Sequence, residues 1–180
     1  MLYFPQSEDS ERRFQGRNNG NRAQREVQAY NGGFRPQPAR LRLEMDILSR
    51  YFPTFFLKDS IIPGHAVIEG TLRSNAGNEY LVRLHVPADL PNSVPVVEVV
   101  SPVLRDRFGH SLADLGTLYS MHLLKPENGG VRICHYSTSH WHPNITFSKV
   151  LLKIRAWIEA YEGHLDSGYA IDHYLPHMEA

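Results

Sequence analysis

The residues best equipped for chemistry lie between Gly129 and Ile158, in GGVRICHYSTSHWHPNITFSKVLLKIRAWI. There the chain's only cysteine, Cys134, is followed by His135, His140 and His142. A thiol in an accessible loop beside imidazoles can act as a nucleophile, because nearby proton acceptors and positive charge raise its thiolate fraction. The same residue types suit zinc, and His140 and His142 would share one side of an extended strand. Structural zinc sites draw ligands from two separated knuckles, however, and this cluster is one short segment, so zinc is the weaker reading. A cysteine hydrolase is weaker still, since it needs an ordered Cys and His pair that no local signature specifies. Taken alone, a free cysteine is more often a small buried hydrophobe than a nucleophile.

The flanking elements must position that thiol. KPENGG reads as a turn in which Gly129 and Gly130 are free to take positive φ. VRIC after it is extended, so Val131 and Ile133 face one way and Arg132 and Cys134 the other, which anchors the backbone and leaves the sulfur on the open side. Downstream, Phe147, Val150, Leu151, Ile154, Trp157 and Ile158 form the apolar face of a helix over Phe147 to Tyr161, with Thr146 as N-cap and Gly163 as the closing residue. HLDSGYAIDHYLPHMEA then holds one more short helix or trails away. Upstream, Leu41, Met45, Leu48 and Phe52 predict a helix from Ala39 to Phe52, stopped by Pro53. His65 to Arg73 and Glu79 to Val86 alternate as strands around the turn SNAGN, with His65 and His85 as surface or packing residues. A third strand, Val94 to Val100, follows a bend stiffened by Pro87, Pro91 and Pro95. Ser101 to Leu124 mixes a short helix near Ser111 to Leu115 with a strand from Thr117 to Leu123, an irregular insertion leading to the cysteine loop.

Composition narrows the class. Nineteen basic and nineteen acidic side chains balance, so the net charge calls for neither nucleic acid nor an anionic membrane surface. One cysteine forms no internal disulfide, which suits a reducing, cytoplasmic setting. No apolar run is long enough to span a bilayer, and MLYFPQSEDSERR lacks the pattern of a signal peptide. Residues 1–37 are poor in aliphatic side chains and rich in Asn, Gly, Gln and Arg, and are expected to be a flexible basic polar tail on a folded domain over 38–180.

Four patches in order then resemble the ubiquitin-conjugating enzyme (UBC) family. EYLVRLHVPADLPNSVPVVEVVSP is similar to its Tyr-rich strand and Pro-x-x-Pro bend, GGVRIC to its Gly-x-Ile-Cys, WHP to its Trp-Ser-Pro, and ITFSKVLLKI to the start of its following helix. Together they cover Leu41 to about Tyr161. The resemblance implies an α+β, UBC-like fold: an N-terminal helix, an antiparallel β-meander, an active-site loop and C-terminal helices packed on the sheet. It implies a transferase in which Cys134 carries a ubiquitin-like protein as a thioester and passes it to an amine or thiol on a protein acceptor, without metal or cofactor. The partners would be an adenylating (activating) enzyme and the ubiquitin-like protein, and the chain's divergence from the family, with the insertion before the cysteine, points to a distant relative of the kind expected in a bacterial conjugation system. Arg40 and Arg42 on the first helix would be the contact for the activating enzyme.

The chain also departs from that family. No His-Pro-Asn triplet precedes Cys134; His142, Pro143 and Asn144 spell one, but after the cysteine. His122 is then the candidate for the structural histidine and Asn128 for the missing amide. Alternatively a downstream imidazole, His140 or His142 ahead of His135, serves as donor or proton acceptor. A non-catalytic module of the same fold that binds a ubiquitin-like protein is the main rival.

Overall fold

The computed structural model describes residues 38–58 and 66–176, so the tail expected over 1–37 and His65 lie outside the described residues. Helix α1, Pro38–Tyr51, opens on a proline, whose fixed φ suits a first helical position, and ends before Pro53. Six strands follow: β1 Phe56–Lys58, β2 Val67–Arg73, β3 Glu79–His85, β4 Val96–Ser101, β5 Leu123–Leu124 and β6 Val131–Ile133. They form one open antiparallel sheet in the order β1-β2-β3-β4-β6-β5, so β6, which delivers Cys134, lies between β4 and β5. Helix α2, Phe147–Ser167, and the short α3, Ile171–Tyr174, complete an α+β domain. Among the described residues no helix is long and apolar enough to cross a membrane.

The sheet has one dry face. Cross-strand register aligns Ile68 with Leu84 and Val97, and Val82 with Val99 and Val131, and these side chains are buried in one cluster with Phe147, Val150, Leu151, Ile154, Trp157 and Ile158 of α2. Burying each such aliphatic side chain stabilises the fold by about 1.5–3 kcal/mol before entropy is counted, so α2 cannot leave the sheet without unfolding it. The opposite face carries a row of alternating charge in direct register: Glu69, Arg83, Glu98 and Arg132 on β2, β3, β4 and β6. Opposed charges at neighbouring positions contribute about 0.2–1 kcal/mol each, enough to resist a register slip.

Several sequence expectations are corrected. Between Ser101 and Leu124 there is neither a helix at Ser111 to Leu115 nor a strand from Thr117 to Leu123. Asp106 instead gathers the loop, accepting from the N–H groups of Phe108 and His110 at 2.9 and 2.8 Å, and a 3₁₀ turn, Tyr119–Met121, leads into the two-residue β5. Gly163 does not end α2. The absence of a side chain there leaves room for the Tyr174 ring, and the helix runs on to a left-handed Gly168 (φ 83°) that donates to the His164 carbonyl. Of the two turn glycines only Gly129 (φ 88°) uses positive φ; at Gly130 a Cβ would stand 2.9 Å from Glu98 and Val100 side-chain atoms of β4.

Candidate active site

Strand β6 ends at Ile133, and the first residue beyond it is Cys134, whose N–H donates to the His122 carbonyl at 2.7 Å. The strand's alternation therefore stops one residue short of the sulfur. Val131 and Ile133 are buried and Arg132 faces outward as expected, but the half-buried Cys134 lines a cleft of roughly 290 Å³ with Lys153, Ala156 and Trp157 of α2. Tyr119, His122, Tyr136, Leu175 and Pro176 supply further wall. Cys134 therefore borders the cleft on the helix side of the β6 end.

The loop after Cys134 is held by carbonyls of the proline-stiffened bend. His135 Nε2 donates to the Pro95 carbonyl at 3.0 Å and Trp141 Nε1 to that of Pro91 at 2.9 Å. Tyr136 stands edge-on to both rings, 5.8 Å from each. The far end of the loop is fixed by α1: Arg40 donates to the carbonyls of Pro143 and Ile145 at 2.6 and 2.9 Å and to Glu44 at 2.7 Å. Glu44, fully buried, in turn accepts the Phe147 N–H at 2.7 Å. Thr146 takes the N-cap position with extended backbone, but its hydroxyl pairs with Ser148, so the carboxylate of Glu44 does the capping. Arg40 thus braces the far end of the cysteine loop, while Arg42 is exposed.

The expected catalytic residues separate into two groups. His122 stands at the cleft in a left-handed conformation (φ 52°), its carbonyl on Cys134 N–H and its Nε2 donating to the Leu175 carbonyl at 2.7 Å. Asn128 does not approach the sulfur. It lies beyond the opposite end of β6, where its N–H donates to Glu98 at 3.0 Å and its Nδ2 is 3.3 Å from His85 Nε2, so β6 itself separates it from Cys134. His140 Nδ1 pairs with Ser137 at 2.7 Å, and the exposed His142 accepts the Asn144 N–H at 3.2 Å. Neither lines the cleft. The zinc reading loses its ligands for the same reason: these imidazoles turn to separate local partners, and among the described residues no three His, Cys, Asp or Glu side chains gather as a metal site.

The residue that sequence reasoning does not single out is Lys153. Its spacing of three and four from Ala156 and Trp157 places all three on one strip of α2, and that periodicity was the available signal. Its ammonium donates to the His135 carbonyl at 3.2 Å and lies 3.9 Å from the centre of the Tyr136 ring. Burial pushes the Cys134 thiol above its ordinary value, against the opposing pull of the Arg132 and Lys153 cations. Burial likewise lowers the Lys153 ammonium, partly offset by the sulfur. Desolvation depresses His135 to about 4, so the ring is neutral; with Nε2–H committed to Pro95, Nδ1 is a buried acceptor with no partner among the described residues. No family model matches the chain, and no curated protein or solved structure matches it.

Proposed function

We propose that this chain is a ubiquitin-conjugating-enzyme-like carrier, which takes a ubiquitin-like modifier as a thioester on Cys134 and hands it to an amine or thiol of a protein acceptor. One observation carries the reading: the chain's only thiol stands just beyond the end of a sheet strand and lines a cleft between that strand and the long helix. The order of elements supports a UBC-like assignment of the fold, with a leading helix, a meander, a cysteine loop, a docked Trp141-His142-Pro143 and a long helix against the sheet. A relay of this kind conserves the activated acyl bond, so it needs one nucleophile, a groove and a donor for the oxyanion, and no metal. A thiol raised by burial is mostly protonated at neutral pH, so loading should accelerate as the solution becomes alkaline. The modifier and an adenylating enzyme are the implied partners, with the exposed Arg42 on α1 as a docking residue for the latter.

Incubation with ATP, an activating enzyme and its ubiquitin-like partner is expected to give an adduct that thiol reductants cleave. Cys134→Ser should convert it to an ester that resists them, and Cys134→Ala should give none. The raised thiol and the displaced Asn128 favour one rival, a non-catalytic module that binds the modifier. Failure to form an adduct with any cognate partner, together with retained binding, would decide for that rival.

A further inference from the structure

We propose that Lys153 is the resident cation of the cleft, stabilising both the Cys134 thiolate and the oxyanion that forms when an acyl group enters or leaves the sulfur. The inference rests on the carrier reading for its second half and on geometry alone for its first. The ammonium is aimed rather than loose. It is held by the His135 carbonyl and by the face of Tyr136, and Tyr136 is itself fixed edge-on to Trp141, which is bonded to Pro91. A carbonyl acceptor and an aromatic face both favour the charged amine, so the site keeps a cation while half removed from water. The other expected donors point elsewhere: His122 to Leu175, His140 to Ser137, His142 to Asn144 and Asn128 to Glu98.

Cys134, Lys153 and the aromatic Tyr136 and Trp157 share the wall of this cleft. An acyl tail presents a carbonyl oxygen at the bond to sulfur, which suits the ammonium. On loading, the Cys134 thiol gives its proton to solvent, the thiolate Sγ bonds to the incoming thioester carbon and the carbonyl electrons move to oxygen beside Lys153. The oxyanion then collapses with departure of the donor's thiolate. On discharge an amine nitrogen bonds to the same carbon, Cys134 leaves as thiolate, and the proton from nitrogen passes to solvent. Nothing is oxidised or reduced.

The test uses the full chain alone first. Alkylation of Cys134 is followed with neutral iodoacetamide and anionic iodoacetate across pH at low salt, in the wild type, Lys153→Gln and Lys153→Arg. Loss of the charge is expected to cut the iodoacetate rate about three- to tenfold relative to iodoacetamide and to move the thiol titration upward by about half to one pH unit, and Arg should restore both. Lys153→Met, which keeps a straight stem over Tyr136, repeats the comparison so that a folding defect of one variant does not decide it. Unchanged ratio and titration in both uncharged variants would overturn the thiolate role. In a second arm a glycyl peptide thioester is the acyl donor; transfer to Cys134 should fall further than the thiolate fraction alone accounts for, and an equal fall would overturn the oxyanion role. A wild type that alkylates as expected but forms no adduct with any modifier would sink the carrier reading while leaving the cation in place.

Discussion

The charged row on the open face of the sheet and the Cys134 cleft treat their polar groups in opposite ways. On the row, Glu69 sits between Lys58 and Arg83, while the fully buried Glu98 takes His85 at 3.1 Å and the N–H groups of Glu127 and Asn128. The favourable contacts outweigh burial, and the Glu69 and Glu98 carboxyls stay below their ordinary values. Glu44 of α1, fully buried, likewise has its partners, Arg40 and the Phe147 N–H. In the cleft, burial wins over two cations at Cys134, and His135 keeps a buried nitrogen without a partner. Buried polar groups are nearly always satisfied, and among the described residues the buried side-chain nitrogens without a partner are His135 Nδ1 at the cleft and His164 Nε2 on α2.

The sharpest way to break this contrast is to remove a carboxylate from the framework. Glu44→Ala leaves the first N–H of α2 without its acceptor and the Arg40 guanidinium without its countercharge, and should lower unfolding free energy by about 3–4 kcal/mol, measured by urea titration. A loss under about 1 kcal/mol would show that the pairing is ornamental.

A pH series comes next. His135 binds its proton at about 4 in the folded chain, against an ordinary value of 6.5. As pH falls below 6.5 the unfolded chain takes up a proton that the folded chain refuses, so stability is full above that value and about 3 kcal/mol is lost on approach to pH 4. Glu69 and Glu98, whose folded values are depressed, contribute stability that is lost only below 4.5. His135→Leu should flatten the upper window in thermal melts and leave the lower one; a melt that drops in the upper window regardless would assign that proton elsewhere.

The smallest effect is expected where sequence spacing looked most suggestive. His140→Ala and His142→Ala, both remote from the cleft wall, should each change stability by less than about 0.5 kcal/mol and leave the alkylation rate of Cys134 unaltered. A severalfold loss of thiol reactivity in either would return these imidazoles to the site.

Much of the fold was legible because long periodic segments announce themselves. Helix α1 and strands β2, β3 and β4 fall within a few residues of their expected bounds, and α2 begins at Phe147 as expected but runs past Tyr161 to Ser167. Strands β1 and β5 escape notice because three and two residues are too few for a pattern, and they exist only by pairing with β2 and β6. The loop around Asp106 is built by one side chain bonding to nearby backbone, which hydropathy cannot register. Cys134 was legible because it is unique. Asn128 misled because proximity in sequence says nothing about which end of a strand a residue occupies. Lys153 stayed hidden because a lysine on an amphipathic helix reads as solvent-facing until the wall it shares with Trp157 is seen.

His122 bonds at one side to the backbone of Cys134 and at the other to Leu175. One histidine therefore ties the turn after α3 to the strand end that carries the thiol, so a change that frees the Leu175 carbonyl would slacken the cleft wall without touching Cys134 itself.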